Sequence, residues 1–319
     1  MKEKIRTSAL LAIENELVSV KGMLNSVNDD FIAVAEKIYN SSGRLILTGI
    51  GKSAIIVNKI VATMNSTGTP SIFMHAADAI HGDLGIIQKE DIVIAISKSG
   101  ETPEIKILVP LIKARGNMLV AMVGNVDSYL AKQSEYILDT TVEKEACPNN
   151  LAPTSSTTAQ LVLGDALAIS LLELKGFKAS DFAKIHPGGA LGKRMFLRVG
   201  DISVKNEIPK VNADELATDV IIEISSKRLG ATAVIENGMI IGVITDGDIR
   251  RMIEKTPEFT KLKATEIMST KPRTIEKEEL VVNALSIMRE NNITQLLVVD
   301  EGKYCGVIHL HDILNEGIL

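Results

Sequence analysis

Between residues 44 and 139 two hydrophobic patterns take turns along the chain. Five short, nearly continuous apolar runs (44–48, 71–74, 91–97, 118–123 and 136–139) alternate with stretches whose apolar positions recur every three or four residues (53–65, 103–115 and 128–133). Runs such as Ile92-Val93-Ile94-Ala95-Ile96 predict strands buried on both faces of a parallel sheet. The helical stretches between them predict right-handed crossovers and helices on both sides of that sheet. Two more helical patterns precede the first strand, and a longer one covers 156–175. A three-layer α/β domain over residues 1–200 is therefore expected.

Further on the pattern changes and then repeats. "GVITDGDIRRMI" begins at Gly242 and "GVIHLHDILNEG" at Gly306, 64 positions on. The same offset aligns Leu216 with Leu280 and Asp248 with Asp312. Each copy predicts a short strand, a helix (215–227; 279–291), a strand pair (232–236 with 240–244; 295–300 with 305–309) and a second helix. Asn237-Gly238 and Glu301-Gly302 fall at the hairpin turns. Units this small bury little apolar surface alone, so two α+β domains, 201–262 and 263–319, are expected to pack on each other.

Composition narrows the class. A chain of 319 residues suits two or three domains. The net charge of −5 with no basic block leaves no electrostatic footprint for nucleic acid. Two cysteines, Cys147 and Cys305, cannot build a disulfide framework and fit a reducing compartment. The N-terminus is charged and helix-patterned, unlike a signal peptide. No stretch of 18 or more predominantly apolar residues is recognised, so no membrane span is expected and the cytoplasm is the expected location.

"LILTGIGKSA", from Leu45, poses a question about phosphate. A nucleotide P-loop would need glycine where Ile46 stands. Gly49-Ile50-Gly51-Lys52-Ser53-Ala54 does match a dinucleotide fingerprint, but the next strand ends in His75 and Asp78 arrives late for a ribose-binding acid, so that reading stays open. "SKSGET" after the third strand is more telling. Ser97, Ser99 and Thr102 surround a glycine, and Pro103 opens a helix. Hydroxyls and free N–H groups at the positive end of a helix form a nest for one phosphate. Both turns follow strands, where ligands bind in open α/β sheets.

With "STGTP" at Ser66, "HGDLG" at His81, "AISKSGET" at Ala95, "KEACPNNLAPTSST" at Lys144 and "HPGGALGKR" at His186, residues 1–200 resemble a sugar isomerase (SIS) domain. Residues 201–319 resemble a tandem of CBS domains. The combination is similar to the arabinose-5-phosphate isomerase group. The resemblance implies that Gly49, Ser53, His75, His81, Ser97, Ser99 and Thr102 contact a phosphorylated pentose. It places Lys52, Glu104, Glu145 and His186 in catalysis. It implies no required cofactor, an inhibitory divalent metal at His75, and a homotetramer in which His81 or His186 acts in trans. The product would feed synthesis of Kdo, an acid sugar of lipopolysaccharide or capsule. In the CBS pair, Gly242-Val243-Ile244-Thr245-Asp246-Gly247-Asp248 fits the pattern that contacts an adenosyl nucleotide, through Thr245 and Asp248. The second copy keeps Asp312 but has His309 in place of the threonine.

Aldose–ketose isomerisation passes a proton between adjacent carbons through an enediolate, and it needs a base and a cation or donor at the oxyanion. Lys52 suits the cation. Glu145, in a loop ahead of Cys147-Pro148, is preferred as the base, with Glu104 and His186 as alternatives; His186, before Pro187-Gly188-Gly189, suits ring opening. Two other readings are an isomerase of a different phosphosugar and a non-catalytic sensor of sugar phosphate and nucleotide. The sensor would need the phosphate loop but no base.

Overall fold

A computed structural model describes residues 1–318, and the chain divides into two compact units, Met1–Phe182 and Ala183–Leu319. The first unit runs α1 (Lys2–Gly22), α2 (Asp29–Asn40), β1 (Leu45–Gly49), α3 (Gly51–Ser66), β2 (Ser71–His75), α4 (Ala76–Ala79), β3 (Ile92–Ser97), α5 (Pro103–Ala114), β4 (Leu119–Val123), α6 (Tyr129–Gln133), β5 (Tyr136–Asp139) and α7 (Ser155–Leu174). The strands form one parallel sheet in the order β2-β1-β3-β4-β5. Alternate residues serve opposite faces. Leu45, Leu47, Ile92, Ile94 and Ile96 pack with α2, α3 and α7, through Val34, Val57, Ile60 and Leu163. Ile46, Val93, Ala95 and Ala121 pack with α5, through Ile105, Leu108 and Ile112. Each such side chain contributes roughly 1.5–3 kcal/mol by leaving water.

Two features of this layer position the site. Asp91, 2% exposed, takes N–H groups from Arg44 and Gln88 and pairs with the Arg44 guanidinium at 2.7 Å, tying the starts of β1 and β3 together. Burial would raise the Asp91 pKa; the Arg44 and Gln88 donors outweigh it and lower it. Beyond the opposite ends, the chain leaves β1 for α3 on one face and β3 for α5 on the other. That divergence opens a crevice between two neighbouring strands, the topological switch point of a doubly wound sheet.

The expectation of no long apolar segment needs correction. Among the described residues α7 is long and apolar enough to span a membrane by length and composition. In this fold it is the central helix of the first unit: Ala159, Leu163, Leu167 and Leu171 are buried, as are the polar Ser156 and Gln160. Gly164 lets it approach α3, since a Cβ there would lie 2.4 Å from Ile60 Cδ1.

In the second unit, reached through α8 (Ala179–Ile185), α9 (Ala190–Phe196) and α10 (Val199–Ser203) precede the repeats. The first copy comprises β6 (Lys210–Asn212), α11 (Ala217–Lys227), β7 (Ala231–Glu236), β8 (Met239–Thr245) and α12 (Asp246–Lys255). After α13 (Ala264–Ile267), the second copy comprises β9 (Thr274–Glu276), α14 (Val281–Asn291), β10 (Gln295–Asp300), β11 (Lys303–His309) and α15 (Leu310–Asn315). Both hairpins turn with positive φ, 52° and 80° at Asn237-Gly238 and 49° and 78° at Glu301-Gly302. Val199 and Ile202 of α10 enter the core of the second copy, whereas Ala264 and Ile267 of α13 pack with the first. Each copy is thus completed by the segment that precedes the other. The units divide ahead of residue 200 because α9 goes with the repeats, where Lys193 binds Glu316 at 2.8 Å.

Candidate active site

The crevice holds a cavity of about 300 Å3 lined by Ile50, Lys52, Ser53, Ile96, Ser97, Lys98, Ser99, Thr102, Pro153, Ser156 and Thr157. One wall starts at Gly51, whose φ of +60° lets the chain turn from β1 into α3 and sets Lys52 and Ser53 in the helix's first turn. The second wall is the 97–102 loop. Ser97 Oγ takes the Gly100 N–H at 3.1 Å and lies 2.9 Å from Thr102 Oγ1, while Ser99 Oγ takes the Glu101 N–H at 3.2 Å. Gly100 has φ +64°, and a Cβ there would sit 2.1 Å from Ser128 Oγ, so glycine is required twice over. The third wall is the start of α7, with Ser156 and Thr157. Three helix N-termini, two lysines and a ring of hydroxyls give this cavity the chemistry to hold an anion the size of a small phosphorylated metabolite.

The structure brings Lys52, Ser53, Ser97, Ser99 and Thr102 together at one cavity. Gly49 ends β1 beside His75 on β2 and Ile96 on β3, where a Cβ would come within 3.1 Å of the Ile96 carbonyl. Glu104 lies in the first turn of α5, half-buried, and its carboxylate makes no hydrogen bond or ion pair among the described residues. His75 has Asp78 Oδ2 at 3.6 Å from Nδ1 and the Phe73 ring edge-on, whereas His81 is exposed after α4. Among the described residues no three histidine, cysteine or acidic side chains converge as a metal site. His186 belongs to the second unit, in a tight turn where its carbonyl accepts the Gly189 N–H at 3.1 Å.

Glu145 differs from its expected part. Its carboxylate is withdrawn from water and accepts five donors. Oε1 takes Lys98 Nζ at 2.6 Å and Ser156 Oγ at 2.6 Å; Oε2 takes the Thr154 and Ser156 N–H groups at 2.8 and 3.1 Å and Thr154 Oγ1 at 3.2 Å. Burial would raise its pKa, but Lys98, Ser156 and the two N–H groups overcome this and hold it down at about 2. A carboxylate so held caps α7 and is a weak base. Its loop is folded around Cys147, whose thiol is shifted below its usual range by the N–H groups of Ala152, Leu151 and Asn149. Sequence reasoning did not select Lys98, Ser156 or Thr157. The Ser-Ser-Thr run at a helix start was the available signal for the last two.

A second cavity, about 260 Å3, lies between the repeats and is lined in part by Thr245, Asp248, Arg251, Lys271 and Arg273. Thr245 and Asp248 cap each other at the start of α12, and Arg251 pairs with Asp248. At the corresponding place in the second copy, Asn206 donates to the Val307 carbonyl at 3.1 Å and to Asp312 Oδ2 at 2.8 Å.

Known proteins share both units. The SIS domain family matches residues 37–170, and the CBS domain family matches 199–255 and 264–318. Arabinose 5-phosphate isomerase KdsD of Pseudomonas aeruginosa is 45% identical over 315 residues, covering 98% of this chain and 97% of its own. The chain belongs to the arabinose 5-phosphate isomerase family. The Escherichia coli K12 member is 42% identical over 312 residues, 97% of this chain and 94% of its own. Among solved structures, the c3406 protein of E. coli CFT073 in complex with arabinose 5-phosphate resembles it with a TM-score of 0.57 and 39% identity, over 59% of this chain and all of that one. The SIS domain and the CBS pair are therefore shared with the isomerase family along nearly the whole length.

Proposed function

We infer that the chain is an aldose–ketose isomerase interconverting D-ribulose 5-phosphate and D-arabinose 5-phosphate through an enediolate, without a required cofactor. The observation that carries this is a phosphate-sized anion site at the β1/β3 switch point in a chain 45% identical to such an isomerase from end to end. Ser53, Ser97, Ser99 and Thr102 hold the phosphate, with Gly49, His75 and His81 near the substrate. Lys52 meets the charge that develops on oxygen. Glu104, with an uncommitted carboxylate, takes the role of base, and His186 opens the aldose ring. A divalent cation at His75 would inhibit by occupying a substrate contact.

Four copies assemble, with His81 or His186 supplied by a neighbour. Support comes from α1, where Ile5, Leu10, Leu11, Ile13, Leu17 and Val18 are 53–62% exposed, an apolar surface of the kind that interfaces cover. Sedimentation as an active monomer would overturn this assembly. The location is cytoplasmic, and the product supplies the Kdo of lipopolysaccharide or capsule. The CBS pair serves as a nucleotide effector site at Thr245 and Asp248.

Proton NMR of ribulose 5-phosphate with EDTA-treated protein in D2O tests the central reading. Arabinose 5-phosphate carrying deuterium at C2 is expected, and Glu104→Gln should abolish both isomerisation and exchange. Binding of the sugar phosphate with neither product nor exchange would instead make the chain a sensor.

A further inference from the structure

Glu145 has no room for a proton taken from carbon. A carboxylate offers about four lone-pair positions, and five donors already address this one. What it does have is a cation. Lys98 Nζ sits 2.6 Å from Oε1, and Lys98 is held at its other end as well. Its carbonyl accepts the Gly124 N–H at 3.0 Å, and its side-chain stem lies where a Cβ on Gly124 would come within 3.5 Å of Cγ. The Lys98 side chain remains 45% exposed and lines the cavity shared with Lys52 and Thr157. An ammonium carries three donors, so with one spent on Glu145 two remain for a ligand.

The groups offered to a phosphate are the hydroxyls of the 97–102 loop, Ser97, Ser99 and Thr102, two of them held in place by the loop's own Gly100 and Glu101 N–H groups. The Lys98 head instead reaches across to the α7 wall, where Ser156 shares its partner carboxylate oxygen. A sugar phosphate anchored in the nest would extend its carbon chain along that wall. Resting on the isomerase reading above, we propose that Lys98 is a second catalytic cation, acting beside Lys52, whose ammonium meets the enediolate oxygen, and that Glu145 is its positioning residue. When the base takes a proton from C1 of the ketose, the C–H pair forms the C1–C2 double bond and the carbonyl pair moves to O2. Lys98 stabilises that O2 charge. A proton then adds at C2 and the O1 proton passes to O2, so no electron acceptor enters. A cation fixed beforehand costs no reorganisation as the charge forms, which is where oxyanion donors gain their effect.

The test compares wild type, Lys98→Gln, Lys98→Arg, Glu145→Gln and the Lys98→Gln/Glu145→Gln pair. Isomerisation of ribulose 5-phosphate is followed as kcat and KM, and inorganic phosphate binding by calorimetry. Lys98→Gln should lower kcat by about 10²–10³-fold, the effect of losing one oxyanion donor, while KM and phosphate affinity stay near wild type. Glu145→Gln should lower kcat as well, and the double variant should be no slower than Lys98→Gln, because the two act as a unit. Lys98→Arg keeps the charge and the buried partner's counter-ion, and partial recovery through it would exclude misfolding as the cause. Wild-type kcat in Lys98→Gln overturns the proposal, as does weakened phosphate binding at unchanged kcat, which would make Lys98 a phosphate clamp. A double variant in which the two losses multiply also overturns it, by making Glu145 an independent participant. A wild type with no isomerase activity would overturn the parent reading and this proposal with it.

Discussion

Five donors on one carboxylate fix the charge of Glu145, and this has a consequence for stability. Its folded pKa, about 2, lies below the ordinary value of 4.5, so the folded state holds the proton less tightly than the unfolded one. The stabilisation is complete above about pH 4.5 and is lost as pH falls from there through about 2. By linkage it is on the order of 3 kcal/mol at neutral pH. Chemical denaturation of wild type and Glu145→Gln should therefore show a gap at pH 7 that shrinks to about half or less at pH 3. A gap that stayed constant would mean that the charge contributes nothing. The side chain was visible in sequence as an acid outside any helix. Its partners were not, because Lys98, Thr154 and Ser156 come from segments far from it or folded back on it.

At the scale of elements, the 97–102 loop is the most constrained piece of the site. Gly100 combines φ +64° with a missing Cβ that would strike Ser128, and its carbonyl accepts the Leu130 N–H at 3.1 Å, fastening α6. Gly100→Ala adds left-handed strain to a steric clash and should destabilise by roughly 2–4 kcal/mol. Phosphate affinity should fall with it, because the hydroxyls move with the loop. Gly51→Ala is the contrast: φ is +60° but its Cβ direction is open, so only about 1 kcal/mol of strain is expected. Urea denaturation with phosphate titration checks both, and equal effects at the two positions would contradict the steric part. The strands, the crossover helices and the two helices of each repeat were legible within a residue or two, since burial writes a periodic apolar pattern, whereas the short helices α4, α8, α9, α10 and α13 were not read. Ser97, Ser99 and Thr102 were legible for a local reason, as one short loop carries all three to the same turn.

For the whole molecule, the repeats are related in sequence but unequal in what they leave open. The Thr245–Asp248 side keeps a cavity with Arg251, Lys271 and Arg273 on its wall, while Asp312 in the other copy is engaged by Asn206. Calorimetry with adenosine nucleotides should find one site per chain, weakened about tenfold or more by Arg251→Ala, which removes a charge-assisted contact. Asn206→Ser should add a second site, and two sites in the wild type would show that Asn206 does not block one. His309 in place of threonine had already marked the second copy as different. The Asn206 that engages Asp312 lay 106 positions from it and gave no signal.

The sequence by itself determined the parallel α/β layer, the repeat of 64 residues, the two phosphate-type turns and the side chains able to serve them, because these depend on periodicity and on neighbours along the chain. Tertiary structure decided that β1 and β3 lie side by side, so that Lys52 and the 97–102 loop share one cavity. It also placed Lys98 against Glu145, changing a nominated base into a fixed counter-ion, and set α10 and α13 into each other's repeats. A carboxylate's chemistry follows from how many donors reach it and how much water is excluded, and both depend on contacts between distant segments.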